Sequence, residues 1–258
     1  MKTLKEIYDY RQMIFSLVRK DLRGRYKGSV LGFMWTFINP LLQLVVYTVV
    51  FSLILRTDIE RYYLYLFVAL IPWIFFSASL TGGSASIVAQ KDLVKKIYFP
   101  RQVIPIAYVT SSFVNMLLSF IVVFIVIIFS GTGINPLAVL CLPVIMIVEY
   151  MLALGTALIT SAVTVYFRDL EHILGIVTMT WMYMTPIMYD KSIVPERLLP
   201  LFNLNPMTHI IGCYRDVLYY KTVPELSGLL SSFILGTVFL VAGHFLFLKL
   251  QRHFAEEL

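Results

Sequence analysis

The uncharged stretches of this sequence constrain its fold more than any other feature. Residues 62–90 run for 29 positions without Asp, Glu, Lys or Arg, and residues 102–148 run for 47. A soluble protein cannot hide that much apolar chain, and only 14% of the residues are charged, against about 25% in soluble domains. The sequence therefore predicts an all-α integral membrane protein in which residues 1–258 form a single transmembrane domain.

Six segments have the length and apolar character of transmembrane helices, which need about 20 residues to cross the hydrocarbon. The 47-residue run is too long for one helix, and the sequence GTGINP at residues 131–136 breaks it, because Gly and Asn-Pro mark turns. The predicted spans are residues 31–55, 63–84, 104–129, 137–165, 172–189 and 226–248.

The distribution of Lys and Arg predicts the orientation of these spans. With an inside N-terminus, 15 of the 21 basic residues lie in inside segments and 6 lie outside. Inside segments of membrane proteins carry such an excess, so we expect both termini in the cytoplasm. Because the basic residues flank apolar runs, the net charge of +6 does not indicate nucleic-acid binding.

The N-terminal residues 4–27 are predicted to form an amphipathic interface helix that lies along the membrane surface. Its apolar side carries Ile14, Leu17, Val18, Leu22 and Tyr26, and its basic side carries Arg19, Lys20, Arg23 and Lys27. Asp21 and Arg25 are four residues apart, so we expect them to pair. A solvated basic tail ahead of the first span is the alternative.

Residues 190–225, between spans five and six, are too apolar for a free loop and are interrupted by Pro200 and by the Asn205-Pro206 turn. Broken apolar backbone at membrane depth is tolerated where protein or water covers it. We predict short re-entrant or interfacial helices on the outer side. An ordinary amphipathic outer loop is the alternative.

Clusters of catalytic residues are sparse. Asp169, Glu171 and His172 follow the fourth span and have the chemistry of a cation site in a membrane-embedded glycosyltransferase. The structural alternative is that Asp169 caps the next helix. No GxxxxGK[ST] phosphate loop occurs in the sequence, which excludes ATP binding by that route.

On the predicted outer side, the acidic residues and the histidine do not have the spacing of metal ligands. The acids and the histidine there are interpreted as solvated or helix-capping groups: Asp190, Glu196, His209 and Asp216. Cys141 and Cys213 form neither a metal motif nor a disulfide framework. No metal site is predicted.

Glu149 is the one acid inside a predicted span, and a charge at that depth is costly unless it faces the bundle interior, a partner or water. Two roles compete. Glu149 either makes a hydrogen bond between helices, which we favour, or contributes a polar contact to a transport pathway.

Aromatic residues make up 15% of the chain, and many lie near the predicted outer ends of spans one, two and five. Tyr and Trp at an interface commonly anchor helices at the lipid head groups. They also form surfaces on which sugar rings stack. Both roles stay open for Phe51, Tyr62, Tyr63, Tyr65, Trp73, Trp181, Tyr183 and Tyr189.

Four ordered stretches of the sequence resemble the ABC-2 type permeases that export bacterial polysaccharides such as O-antigen, teichoic acid and capsule. They are LVRKDLRGRYKGSVLGFMWTFINPLL at 17–42, KKIYFPRQVIP at 95–105, RDL at 168–170 with TPIMY at 185–189, and NPMT at 205–208 with YR at 214–215. The resemblance covers nearly the whole chain and is closer to the O-antigen and teichoic-acid branch than to drug exporters.

The resemblance implies a homodimer in the bacterial inner membrane, associated with two copies of a separate ABC ATP-binding subunit. ATP and Mg²⁺ would bind to that partner, so this chain would be neither an ATPase nor a cofactor protein. The expected coupling contacts are in the N-terminal helix and the first cytoplasmic loop: Arg19, Arg23, Lys91, Asp92, Leu93, Lys95, Lys96, Ile97, Tyr98, Phe99, Pro100 and Arg101.

The resemblance also implies a lipid-linked polysaccharide as substrate, passing between the two permease copies. The expected path residues are Phe33, Trp35, Tyr47, Phe51, Tyr62, Tyr63, Trp73, Trp181, Tyr183 and Tyr189. Arg25 and Lys27 are expected to steer the anionic lipid head group. A permease for another cargo, such as teichoic acid, capsule, a drug or a lipid, is the first alternative, and the glycosyltransferase is the second.

Overall fold

The computed structural model describes residues 2–25, 28–54 and 58–258, and within these ranges the chain is helical and has no strand. The α-helices are α1 Lys2–Asp9, α2 Arg11–Gly24, α3 Trp35–Thr48, α4 Tyr62–Ala89, α5 Lys91–Lys96, α6 Val103–Phe129, α7 Pro136–Val139, α8 Leu142–Tyr166, α9 Leu170–Tyr183, α10 Leu199–Leu204, α11 Pro206–Arg215, α12 Leu226–Leu250 and α13 Phe254–Glu257. Short 3₁₀ and π turns extend several of them, including the π turns Val49–Ile54 and Asp216–Tyr220.

Within the described ranges, five helical segments are long and apolar enough to cross a membrane. They are Gly32–Phe51, Tyr62–Ala89, Val103–Phe129, Pro136–Tyr166 and Leu226–His253. The prediction of an all-α integral membrane protein is thereby confirmed, and the protein is a multi-pass one.

The segment predicted as the fifth span, residues 172–189, differs from the other five. Its helix α9 ends at Tyr183 after 14 residues, which rise about 21 Å against a hydrocarbon core of about 30 Å. The chain still runs from one end of the bundle to the other here. Tyr166, just before α9, donates to the Leu250 carbonyl at 2.8 Å, whereas the Met188 carbonyl accepts from Tyr62, at the start of α4, also at 2.8 Å.

The two ends of the bundle are chemically distinct. We call the end that carries α5, Arg101 and Arg252 the basic end, and the other the opposite end. The opposite end carries the start of α4 together with α10 and α11, so the predicted short helices in residues 190–225 are confirmed.

Helix α4 is the centre of the bundle. In the most apolar part of α4, 78% of the residues are buried, compared with 17% in the α3 and α12 segments. Helices α6, α8, α9 and α11 pack around α4. The large exposed fraction of α3 and α12 leaves their apolar faces to lipid or to another chain.

Small residues allow α8 and α12 to pack closely. A Cβ atom at Gly155 would lie 2.5 Å from the Leu240 nitrogen, and one at Gly243 would lie 2.6 Å from the Gly155 carbonyl oxygen. Glycine is therefore required where the two backbones meet, as is common between membrane helices.

The predicted break at residues 131–136 is present. Gly131 and Gly133 have φ angles of +66° and +75°, a region that favours glycine. Asn135 then caps α7 by accepting from the Leu137 nitrogen at 3.1 Å, with Pro136 in the first helical position.

Candidate functional site

The predicted coupling loop, residues 90–101, forms the short helix α5 and then a non-helical segment that begins at Ile97, whose backbone is extended. Asp92 lies in the first turn of α5, and Lys95 and Lys96 lie in the last turn, which suits the helix dipole. Lys91, Lys95 and Lys96 are exposed. The loop thus presents a basic surface at the basic end of the bundle.

The apolar side chains of this loop divide into two groups. Phe99 is 5% exposed and packs, with Val94, in a cluster that includes Phe254, whereas Ile97 is 55% exposed and Tyr98 is 94% exposed. Leu93 is half-buried against the same cluster. We predicted all four of Leu93, Ile97, Tyr98 and Phe99 as partner-facing. The structure leaves Tyr98 almost fully exposed and about half of Ile97 exposed, whereas Phe99 holds the loop on its own subunit.

Arg101 also contacts its own chain. Its guanidinium donates to the Gln251 carbonyl and lies 5.8 Å from the centre of the Phe254 ring. Burial lowers the pKa of Arg101 below its ordinary value. Arg101 therefore links the loop to the residues that follow α12, a contact that sequence analysis did not predict. The neighbouring Pro100 is half-buried.

A cleft of about 500 Å³ lies between α1, the loop and the end of α12. Glu6, Tyr10, Tyr98, Arg101 and Arg252 are among the residues that line it. The Tyr10 hydroxyl donates to the Tyr98 carbonyl at 3.5 Å, at the limit of a hydrogen bond. The chemistry of this cleft, apolar and aromatic with charges at its edge, suits a protein partner.

The N-terminal surface helix is two helices, not the single one predicted over residues 4–27, because the chain leaves helical geometry at Tyr10. The second, α2, is attached to α6 by a polar network. Arg25 donates to Asp21 at 2.8 Å, as its spacing predicts, and also to Ser111 and Ser112 at 3.1 and 3.0 Å. Ser111 in turn donates to Asp21.

This network changes the interpretation of Arg25. We expected Arg25 to steer a lipid head group; in the structure its guanidinium pairs with Asp21 and donates to two serines of α6 within the subunit. Lys27, the second expected steering residue, lies outside the described residues. Arg19 and Arg23 are exposed on α2, as Arg25 is.

An apolar groove of about 640 Å³ lies next to these two arginines. Val18 and Leu22 of α2, Val114 of α6 and Phe33 line it, and Arg19 and Arg23 lie at its edge. An apolar floor with two cations at the rim suits an anionic amphiphile.

A polar cavity of about 480 Å³ lies between α3, α4 and α6. Its lining includes Asn39, Gln43, Asn115, Ser119 and Arg25. Gln43 donates to Asn39 at 3.0 Å. The four-residue spacing of these two amides within a predicted span was the available sequence signal for this cavity, and we missed it.

A proline shapes the wall of the same cavity. Pro40 has no N–H group, so the Thr36 carbonyl loses its usual helical donor. The Ser119 hydroxyl lies 3.5 Å from that carbonyl oxygen. The cavity therefore offers amide, hydroxyl and carbonyl groups in an otherwise apolar bundle, which suits a hydroxyl-bearing molecule or water.

The aromatic residues expected along a substrate path are not equivalent. Tyr62 and Trp73 are buried in the core of the subunit, so their rings cannot line a path between two subunits in this conformation. Phe33, Trp35 and Tyr183 are exposed. The remaining five are half-buried: Tyr47, Phe51, Tyr63, Trp181 and Tyr189. The Trp181 indole donates to Asn205 at 2.9 Å.

Glu149 makes the hydrogen bond between helices that we favoured. Its Oε2 atom accepts from the Tyr214 hydroxyl at 2.7 Å, and both side chains are fully buried. The bond joins α8 to α11. Sequence analysis could not identify Tyr214 as the partner because 65 positions separate the two residues.

The residues of the alternative cation site do not form one. Asp169, Glu171 and His172 are exposed at the start of α9, and in the described chain Asp169 makes no side-chain capping bond. Asp169 thus occupies the N-cap position without the predicted hydrogen bond. Among the described residues no group of three or more His, Cys, Asp or Glu is placed to hold a metal ion.

Comparison with known proteins identifies the family. Residues 12–219 match the model of the ABC-2 type transporter family. The chain is 33% identical to the O-antigen export system permease protein RfbA of Myxococcus xanthus, and the match covers 100% of both chains. Two RfbA permeases of Klebsiella pneumoniae are 32% and 31% identical, over 95% of this chain and 94% of each of theirs.

The length of these matches agrees with the helical architecture, since they extend over the surface helix, the membrane helices and the short helices of the opposite end. Members of this family are the membrane components of ABC transporters, which work with ATP-binding subunits. The chain belongs to the ABC-2 type transporter family.

Proposed function

We propose that this protein is the permease subunit of an ATP-driven exporter that moves a lipid-linked polysaccharide of the O-antigen type out of the cytoplasm across the inner membrane. The observation that carries the proposal is the end-to-end match to an O-antigen export permease at 33% identity. Under this proposal both termini are cytoplasmic, the basic end faces the cytoplasm and the opposite end faces outwards. The excess of Lys and Arg in the inside segments supports that orientation.

The ATP-binding partner docks on the basic end. Two copies of it serve a homodimer of this chain and carry the ATP and Mg²⁺. Support comes from Tyr98, which is almost fully exposed although the adjacent Phe99 is buried in a cluster with Ile87 of α4 and Ile104 of α6. A partner that moves the exposed ring of Tyr98 therefore moves a loop that is packed against both helices.

The second permease copy covers the exposed faces of α3 and α9. Val45, Val46, Ile176 and Met179 leave apolar surface uncovered on these two helices. Phe33, Trp35 and Tyr183 are exposed on the same segments, where they would line the glycan path. Tyr62 and Trp73 support this path from behind.

The lipid carrier enters beside α2. The apolar groove accepts part of its chain, and Arg19 and Arg23 attract its phosphate. Arg25 contributes by holding α2 against α6, and Lys27 steers the anionic head group.

The test is reconstitution of the permease with its ATP-binding subunit in vesicles that contain undecaprenyl-pyrophosphate-linked O-antigen. Wild type should hydrolyse ATP and move the glycan to the other leaflet. Tyr98→Ala should keep the complex folded but lower the glycan moved per ATP by about tenfold, the effect of losing an interface anchor. Phe129→Ala, which removes an exposed aromatic at the opposite end, is the matched control.

Two results contradict the proposal. If Tyr98→Ala exports as wild type does, the loop is only a topological anchor. If the wild-type complex hydrolyses ATP but moves a drug or a phospholipid instead of the glycan, the chain is an ABC-2 permease for another cargo.

A further inference from the structure

A further cavity, at the opposite end of the bundle, belongs to neither the coupling surface nor the path between subunits. Its volume is about 220 Å³. It forms where the segment after α9, helix α11, the π turn Asp216–Tyr220 and the start of α12 meet α4. We call it the outer cavity.

The wall of the outer cavity contains a buried cation. Arg215 is 5% exposed, and its guanidinium donates to the Pro186 and Ile187 carbonyls at 2.5 and 2.6 Å. The ring of Tyr65 lies 3.5 Å from the guanidinium carbon. Among the described residues no carboxylate lies within 4.0 Å of Arg215, so its direct contacts are to carbonyls and an aromatic face.

A hydroxyl group in the same wall has no partner. Thr208 is 5% exposed and lines the cavity, and its Oγ1 atom makes no hydrogen bond within the described part of the chain. Leaving such a group unpaired costs about 1–3 kcal/mol. A ligand that bonds to Thr208 would remove this cost.

The other polar groups of the outer cavity carry both signs of charge. Asp190, Asp216 and Glu225 face Lys191 and Arg215, which leaves a net charge of about −1 when all are ionised. Hydrogen bonds from Ser192 hold the pKa of Asp190 below its usual range, so it is ionised at neutral pH. This balance disfavours an anionic ligand.

A metal ion is not the favoured occupant either, because the described residues contain no group of three or more ligands placed to bind one. Closely spaced donors and acceptors instead suit hydroxyl groups, which both donate and accept. Tyr220 is exposed at the rim and offers a ring face for stacking. The small volume, below the roughly 300–1,000 Å³ of cavities for drug-sized ligands, limits the ligand to about one ring.

We propose that the outer cavity binds one neutral sugar ring. The ring bonds to Thr208 and the surrounding carboxylates, and it stacks on Tyr220. This inference rests on the proposed function, which supplies a polysaccharide as the molecule that reaches this end. The cavity then holds a sugar of the chain that has already crossed, separately from the path between the subunits.

The experiment measures binding of free monosaccharides to the purified full-length permease in detergent, without its ATP-binding partner. The probes are D-glucose, D-galactose, D-mannose and N-acetyl-D-glucosamine, followed by saturation-transfer NMR and titration. We expect at least one sugar to bind in the millimolar range. Thr208→Val keeps the shape of the side chain and removes only an unpaired hydroxyl, so it should fold normally and weaken that binding by about tenfold.

Tyr220→Ala provides a second test, since it removes an exposed ring without opening the core, and Tyr8→Ala at the basic end is its control. Binding that is lost in Thr208→Val and Tyr220→Ala but kept in Tyr8→Ala supports the inference. Absence of binding of all four sugars in wild type, or equal binding in all variants, would overturn it. The export assay is independent of these measurements, so failure of the sugar site leaves the proposed function standing, and failure of export leaves any measured sugar binding intact.

Discussion

The Tyr214 hydroxyl donates a 2.7 Å hydrogen bond to Oε2 of Glu149, and neither side chain is exposed. This bond attaches helix α11 to the membrane helix α8. The second carboxylate oxygen of Glu149, Oε1, has no hydrogen-bond partner among the described residues. Removal of either side chain would therefore leave a buried polar group without its hydrogen-bond partner.

Replacement of Glu149 should destabilise the protein. Glu149→Ala leaves the Tyr214 hydroxyl buried without an acceptor, which should lower the free energy of unfolding by about 1–3 kcal/mol. Glu149→Gln keeps an acceptor oxygen and should lower the free energy of unfolding by less. Denaturation of the purified variants in detergent measures both. An alanine variant with wild-type stability and assembly but no export would instead show that Glu149 serves the transport pathway.

The close approach of α8 and α12 depends on Gly155. In Gly155→Ala the new methyl group would meet the Leu240 backbone at 2.5 Å, so the helices must separate, at a cost of about 1–3 kcal/mol. Gly175→Ala is the control, because nothing lies within 4 Å of that position and Ala favours helix. Thermal unfolding should show a lower melting temperature for Gly155→Ala and no decrease for Gly175→Ala. Equal melting temperatures would contradict the packing argument.

Arg25 should attach the surface helix α2 to the bundle through its hydrogen bonds, and not merely through its positive charge. Arg25→Ala removes the hydrogen bonds to Asp21, Ser111 and Ser112, so we expect α2 to detach and become sensitive to protease. Lys20→Ala removes an equal charge from an exposed position and should leave the cleavage rate unchanged. If the two variants are cleaved at the same rate, the network does not hold α2.

Adjacent aromatic residues of the loop should behave oppositely. Phe99→Ala empties a core position and should lower the free energy of unfolding by about 3–5 kcal/mol, whereas Tyr98→Ala removes a ring that touches little of its own subunit. Chemical denaturation of the two variants in the same detergent tests this. A large stability loss in Tyr98→Ala would mean that the ring packs on its own subunit.

Features that depend on nearby residues could be predicted from the sequence. The turn at residues 131–136 follows from Gly131, Gly133 and Asn135, whose preferences are local. The pairing of Asp21 with Arg25 follows from helical spacing. The early end of α9 at Tyr183 was not predictable, because the apolar run continues beyond it and hydropathy alone does not locate the turn.

The sequence by itself determined that this chain is a helical membrane protein, because the uncharged runs have no stable alternative to helices in a bilayer. Only the tertiary structure decided which apolar side chains are core and which are surface. Lipid tails are as apolar as Leu, so hydropathy does not separate the buried Tyr62 and Phe99 from the exposed Tyr183 and Tyr98. The outer cavity depends in the same way on contacts between distant segments: Tyr65 and Arg215 are 150 positions apart, and only packing brings them together.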